Sequence, residues 1–219
     1  GLFYVPGYYA TTDEVIELAR IAADYDGIYD THDRDLGATY QGMGYLNSIR
    51  EAIHIGETAG TRVIFSHFNA QGARNYGRAV DGARLIDGAR ARGVEVAAAQ
   101  HVYTATQSNL AAYTIPRWAA DGGRSVMLER FADPETARRL DVETMEMLAI
   151  RGGADKILFA DPRPELNGRT LAELATDWAI PVPHAVRRII TERNATVMNL
   201  ELYDLENTRF LAQRSWMMT

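Results

Sequence analysis

Three histidines are spaced so that they could form one metal site. His32, His67 and His101 lie about 35 residues apart, and each ends a short run with the composition of a buried strand. Neutral imidazole is a common zinc ligand, and the chain has no cysteine to offer instead. If the three strands are parallel, their C-terminal ends open onto one face and the imidazoles converge there. Zinc at such a site polarises a carbonyl and lowers the pKa of bound water to about 7, which is the chemistry of hydrolysis.

The elements that position these histidines follow a repeated βα pattern. A capping box of Thr11 with Glu14 opens the first helix, and Gly60 occupies a helix C-cap position after the second. Alternation of strands with helices of about 12 to 15 residues predicts a parallel sheet, in a (β/α)₈ barrel or a doubly wound fold. Helices are predicted at 12–24, 46–59 and 79–92, and strands at 27–32, 62–67 and 94–101.

The pattern changes after Tyr103. Residues 104–133 have no clean periodicity, which predicts a long loop or a small insertion. No linker divides the chain, so we expect residues 1–219 to be part of one domain in which 104–200 form an insertion with extra βα elements. The apolar end at 216–219 predicts that the chain is a segment of a longer protein. Further helices are predicted at 134–150, 170–178, 183–193 and 204–213, and further strands at 156–160, 196–200 and 216–219.

The composition excludes some partners. The 219 residues carry 23 Lys and Arg against 29 Asp and Glu, a net charge of −6, so there is no basic surface for nucleic acid. No apolar run approaches the roughly 18 to 20 residues of a membrane span, and the start lacks a signal-peptide pattern. We therefore expect a cytoplasmic protein with a small-molecule substrate and no nucleic-acid or membrane partner, and leave a homo-oligomer open.

Six segments of the chain, in order and spacing, carry a resemblance to a known family. They are Gly1–Gly7, Tyr9–Glu14, Thr31–Asp35, Ser66–His67, Leu166–Leu174 and Trp216–Thr219. These segments resemble the N-acyl-D-amino-acid deacylase (D-aminoacylase) family of the amidohydrolase superfamily. The resemblance implies an α/β fold, the (β/α)₈ TIM barrel of the metal-dependent hydrolases, of which this chain holds the C-terminal strands 4 to 8 with an insertion between the last two. It also implies zinc-dependent cleavage of the linear amide of an N-acyl-D-amino acid.

The resemblance implies roles for individual residues. His32, in the Thr-His-x-Arg motif, and His67, in the Ser-His motif, correspond to zinc ligands on consecutive barrel strands. Tyr4 corresponds to a tyrosine that helps to hold the substrate carboxylate. The family's catalytic aspartate lies in a Ser-Asp-Gly sequence that would follow Thr219, so we expect no catalytic residue within the chain.

Three positions depart from the family pattern. Asn69 replaces a lysine, His101 stands where a tyrosine is usual, and Gln107 aligns with a serine that touches substrate. His101 therefore has no counterpart among the family's metal ligands. With Tyr4, these residues are the predicted substrate contacts, and the missing lysine predicts a substrate that is neutral near Asn69.

Other interpretations stay open. The enzyme could instead open a cyclic amide, or the chain could be a catalytically silent barrel fragment that acts through association. His54 and His184 are expected to be structural. The glycine-rich loop at 37–44 is either a mobile lid or a flexible connection, and it lacks the lysine and hydroxyl residue of a P-loop.

Overall fold

A computed structural model describes residues 1–218, and Thr219 lies outside the described residues. The chain forms two compact units. The first comprises Gly1–Tyr103 and the chain from Tyr203 onward, and the second is Thr104–Leu202. The second unit begins and ends near the bounds of the expected insertion at 104–200.

The helices and strands follow the predicted order in the first unit. In chain order the helices are α1 (Thr12–Asp24), α2 (Tyr45–Ala59), α3 (Ala79–Ala91), α4 (Leu110–Thr114), α5 (Arg117–Ala120), α6 (Gly123–Ala132), α7 (Pro134–Ile150), α8 (Leu171–Asp177), α9 (Val182–Glu192) and α10 (Leu205–Ala212). The strands are β1 (Ile28–Thr31), β2 (Arg62–Phe65), β3 (Val96–Ala99), β4 (Thr106–Asn109), β5 (Ile157–Phe159), β6 (Thr196–Asn199) and β7 (Met217–Met218). Single 3₁₀ turns lie at Gly7–Tyr9, Ala73–Asn75 and Ala154–Lys156.

The start of α1 and the end of α2 confirm two local predictions. The Glu14 backbone N–H donates to Thr11 Oγ1 at 3.2 Å, and the Thr11 N–H donates to Glu14 Oε2 at 2.7 Å, which is the reciprocal pair of a capping box. Gly60 ends α2 with φ of +72°, a left-handed conformation that glycine adopts without a Cβ clash. These signals fix where the first two helices begin and end.

The first unit is built on a parallel sheet with the order β1-β2-β3-β7. One face packs against helices, and its core includes Ile49 from α2 and Ile86 from α3. The strand residues in that core are Val63, Phe65, Val96 and Ala98. The alternate residues Ile64, Ser66, Ala97 and Ala99 point to the opposite face and are only partly buried. Parallel sheets are normally covered on both faces. Because these four residues are only partly buried, the face that they form is incompletely covered in this sheet.

The second unit distinguishes between the two alternatives predicted for residues 104–133. This stretch is not a long loop but holds β4 and the helices α4, α5 and α6, which fits the alternative of a small insertion. The helices α4 and α5 have 5 and 4 residues, too few to display a 3.6-residue period. In α6 only Met127 is buried, so that helix has no apolar stripe to detect.

The pairing of β5 and β6 corrects the expected strand count. The strands β5 and β6 pair with each other antiparallel, and β6 also pairs antiparallel with β4, which gives a three-stranded sheet of order β4-β6-β5 in the second unit. The parallel sheet among residues 1–218 therefore has four strands, whereas the resemblance to barrel strands 4 to 8 predicted five. The apolar pattern reveals a buried strand but not the direction of its neighbour. The α/β class is confirmed.

Across residues 1–218, every helix is too short or too polar to cross a membrane.

Candidate functional site

The three strand-end histidines of the first unit lie side by side. His32 directly follows β1, and His67 and His101 are each the second residue after the end of β2 and of β3. The ring centroids of His32 and His67 are 4.9 Å apart with the planes at 88°. His67 and His101 are stacked, with centroids 4.7 Å apart and planes at 21°. The parallel register places the three strand ends at one edge of the sheet, as the sequence predicts.

Aromatic side chains continue this row at both ends. Phe3 stacks on His32 at 4.9 Å and 25°, and Tyr4 meets the same ring edge-on at 5.3 Å and 72°. Tyr203 stacks on His101 at 6.0 Å and 27°. Tyr4 is 47% exposed, so the residue that the resemblance implies for carboxylate binding lies beside His32 and reaches solvent.

Burial makes the site's imidazoles neutral at pH 7. It lowers the pKa of His32 to about 4, and repulsion from His67 and His101 when those rings are protonated acts in the same direction. Burial also lowers the pKa of His67 and of His101 from the ordinary value of 6.5. Neutral imidazole is the form that binds a metal ion, so these residues need not lose a proton first.

As a metal site, the cluster is a partial ligand set. No group of three or more His, Asp or Glu side chains among residues 1–218 is arranged to hold a metal ion. The stacked rings of His67 and His101 lie face to face, so their nitrogens do not converge on one point. His32 and His67 are thus suited to supply two imidazole donors, whereas catalytic zinc usually has three protein ligands.

Asn69 links the ends of β2 and β3. Its Nδ2 donates to the His101 carbonyl at 3.1 Å, and its Oδ1 accepts from the His101 N–H at 2.8 Å. The residue is only 3% exposed. Both polar atoms of Asn69 are therefore bonded to the backbone of His101, whereas the sequence predicts a contact with substrate.

The segment after His32 is tied to the start of the chain by a buried ion pair. Arg34 Nε donates to Glu51 Oε2 and Arg34 Nη2 to Glu51 Oε1, each at 2.9 Å, and Arg34 Nη1 donates to the carbonyl of Tyr8. Thr12 Oγ1 also donates to Glu51 Oε1 at 2.8 Å. The pair joins α2 to the segment that carries His32 and to the turn that follows Tyr4.

Breaking this pair is expected to destabilise the first unit. The two side chains are 11% and 8% exposed, so Glu51→Gln leaves a buried guanidinium without its counter-charge. We expect urea denaturation to show a loss of about 3 kcal/mol in the free energy of unfolding. The matched control is Glu57→Gln, also on α2, where the pair with Arg92 is 41% and 54% exposed and should contribute under about 1 kcal/mol. Equal losses in the two variants would contradict this role of burial.

Asp33, directly after His32, belongs to a buried hydrogen-bond network. Ser48 Oγ donates to Asp33 Oδ2 at 2.7 Å and accepts from the Asp35 N–H at 2.8 Å. The Asp35 carboxylate accepts from the N–H groups of Gly37 and Gly44, each at 2.7 Å. The glycine-rich loop is therefore fastened at both ends, which favours a fixed connection over a mobile lid.

Gln107 and the two histidines expected to be structural lie on other elements. Gln107 belongs to the second unit, where it is exposed on β4. His54 is exposed on α2, where its Nδ1 lies 3.3 Å from Thr58 Oγ1. His184 is exposed near the start of α9, 3.4 Å from the Asp141 carboxylate. No local sequence signal points to Tyr203, because it stacks on a histidine about 100 residues earlier in the chain.

Known proteins with similar sequences are deacylases. No protein-family model matches the chain. N-acyl-D-glutamate deacylase of Alcaligenes xylosoxydans xylosoxydans is 28% identical over 189 residues, which is 86% of this chain and 31% of that protein. D-aminoacylase of the same organism is 37% identical over 92 residues, 42% of this chain and 18% of that protein.

A solved structure extends the similarity to the whole chain. The N-acyl-D-glutamate deacylase of Bordetella bronchiseptica, crystallised with zinc and a phosphonate mimic of the tetrahedral intermediate, matches with a TM-score of 0.72 at 25% identity. The match covers 100% of this chain. The chain is related to the D-aminoacylases.

The D-aminoacylase relatives are much longer than this chain. The 219 residues span 31% and 18% of the two curated relatives and 37% of the matched structure. The similarity therefore covers only a portion of each relative.

Proposed function

We propose that the protein is part of a zinc-dependent amidohydrolase that cleaves the linear amide of an N-acyl-D-amino acid. One observation carries the proposal: His32 and His67 lie side by side at the ends of adjacent parallel strands, in a chain related to the D-aminoacylases. Both imidazoles are neutral at pH 7, and this supports a role as metal ligands.

The parallel sheet supports a place in a barrel. Its face with Ile64, Ser66, Ala97 and Ala99 is incompletely covered, as expected for strands whose inner side belongs to a larger closed structure. We place the four parallel strands in the C-terminal half of a (β/α)₈ barrel. The second unit is the insertion before its last strand, so residues 1–219 belong to one barrel domain.

The roles of the residues follow from their positions. Zinc held by His32, His67 and ligands from outside these residues would polarise the acyl carbonyl and lower the pKa of a water molecule to about 7. Tyr4 lies beside His32 with its side chain partly in solvent, where its hydroxyl can donate to the substrate carboxylate. The aspartate expected after Thr219 would pass the proton to the leaving amine.

The proposal extends to the side chain of the substrate, which we expect to be uncharged near Asn69. Position 69 holds an uncharged amide that is bonded to the His101 backbone, so it offers no cation to an acidic side chain. We place His101 at the wall of the substrate pocket, where its ring edge contacts an uncharged group. Gln107, which corresponds in the resemblance to a serine that touches substrate, is proposed as a further substrate contact.

Hydrolysis by the polypeptide of the complete gene tests the reaction and the substrate together. We expect N-acyl-D-methionine to exceed N-acyl-D-glutamate roughly tenfold to a hundredfold in kcat/KM, because a lost charge-assisted contact costs about 1.5 to 3 kcal/mol. N-acyl-L-methionine is the stereochemical control, and hydantoin tests opening of a cyclic amide. Preference for the glutamate derivative would contradict the neutral pocket, and faster opening of hydantoin would contradict the linear amide.

A further inference from the structure

A single side chain, that of Asn69, forms two hydrogen bonds with the backbone of His101. Asn69 bonds to both the N–H and the carbonyl of His101, at 2.8 and 3.1 Å, from a position that is 3% exposed. One rigid amide thereby fixes both peptide groups that flank the His101 Cα. The strand-end loop cannot shift there without breaking two partly buried hydrogen bonds.

The ring of His101 is stacked on two other rings. It stacks on His67 at 4.7 Å and 21° and on Tyr203 at 6.0 Å and 27°. Tyr203 is 3% exposed, and its hydroxyl accepts a hydrogen bond from Gln71 Nε2 at 3.2 Å. Its backbone also pairs with that of Gln71 in an antiparallel bridge. Tyr203 is therefore held in place by Gln71, and the His101 imidazole stacks on a ring whose position is fixed.

We propose that Asn69 and Tyr203 are positioning residues, which hold His101 flat against His67 and so fix the direction of the His67 ring nitrogens. His67 has His32 at its edge and His101 over its face, so a displaced His101 would free the ring to rotate. The consequence for zinc rests on the proposed function, whereas the ring arrangement does not. The face of His101, rather than its nitrogens, thus serves the metal site.

Histidine side-chain ¹H–¹⁵N spectra of the metal-free chain test the positioning without any metal. In Asn69→Leu, the ring signals of His67 and His101 should move while those of exposed His54 stay. The matched control is Asn199→Leu, because Asn199 is also buried and its Nδ2 donates to the Arg151 carbonyl at 2.9 Å, in the second unit. Unmoved His67 signals in a folded Asn69→Leu protein would overturn the proposal.

Zinc titration of the polypeptide from the complete gene tests the consequence. Asn69→Leu should weaken zinc binding about tenfold to a hundredfold, the range for residues that orient a metal ligand. Should Asn69→Leu fail to fold, Asn69→Asp keeps the acceptor for the His101 N–H and should give a smaller loss. His101→Ala should weaken binding, and His101→Phe, which keeps a stacked ring, should restore it.

The outcomes separate this inference from the proposed function. Wild-type protein that binds no zinc contradicts the proposed function, and the spectra still decide the ring arrangement. Wild-type protein that binds zinc, with equal affinity in Asn69→Leu, overturns the positioning role and leaves the proposed function standing. Loss of zinc binding in His101→Phe would make the imidazole itself a ligand and would also overturn it.

Discussion

Residues 1–219 expressed alone are expected to show no hydrolysis of N-acetyl-D-methionine above the buffer blank, even with added zinc. His32 and His67 supply two donors, and a catalytic zinc usually has three protein ligands. None of residues 1–218 completes a group of three such ligands. The expected proton-transfer aspartate also lies after Thr219, and general acid–base catalysis alone contributes roughly 10² to 10⁴ in rate.

The polypeptide of the complete gene, assayed at the same zinc concentration, is the control for this result. It should hydrolyse the same substrate. Comparable turnover by the 219-residue chain would show that the catalytic set lies within these residues and would contradict our placing of the missing groups outside them. Inactivity of both polypeptides would favour the catalytically silent alternative.

Asp33→Asn is expected to stabilise the metal-free chain at pH 7 far more than at pH 4. Burial raises the pKa of Asp33 from 3.8 to about 7, so the folded protein holds a proton that the unfolded chain releases. The stability from this proton is fully present below pH 3.8 and is lost as the pH rises to about 7. A pKa shift of this size lowers the free energy of unfolding at pH 7 by about 4 kcal/mol relative to low pH. Asparagine does not ionise, so the variant avoids this loss.

The difference between variant and wild type isolates Asp33 from its neighbour. His32, with its pKa lowered from 6.5 to about 4, acts in the opposite sense, because its contribution is lost as the pH falls between those values. His32 is present in both proteins, so its effect cancels to first order. Urea denaturation in a chelator at several pH values gives the difference. A difference that is the same at pH 4 and pH 7 would contradict the buried protonated carboxyl. Ser48→Ala, which keeps the carboxyl and removes a hydrogen bond that lowers its pKa, should still lose stability as the pH rises, over a range that extends to higher pH than in the wild type.

Local signals allowed much of the first unit to be predicted from sequence. The capping box of Thr11 and Glu14, the left-handed Gly60 and the period of apolar residues each depend on neighbours a few residues away, and the elements lie where these signals place them. The second unit has weaker signals. The helices α4 and α5 are shorter than the window in which a period can be recognised, and the antiparallel pairing of β5 with β6 depends on the tertiary path.

The candidate site also has features that the sequence predicts and features that it does not. The placement of His32, His67 and His101 at one sheet edge follows from strand spacing, so the sequence alone was enough to predict it. The bonds from Asn69 to His101, and the stack on Tyr203, join residues about 30 and 100 positions apart through loops without a regular period. The resemblance suggested Asn69 as a substrate contact, and that role stays a prediction; the residue type did not reveal the backbone link, because an amide can serve in either way.

X-ray absorption at the zinc edge, on the polypeptide of the complete gene, tests most directly whether His32 and His67 hold the metal. Imidazole nitrogens should appear at about 2.0 to 2.1 Å from zinc, and His32→Ala and His67→Ala should each remove one of them or the bound zinc altogether. The control His54→Ala, at an exposed position on α2, should leave the spectrum unchanged. A zinc spectrum that is the same in wild type, His32→Ala and His67→Ala would contradict the metal site that we propose.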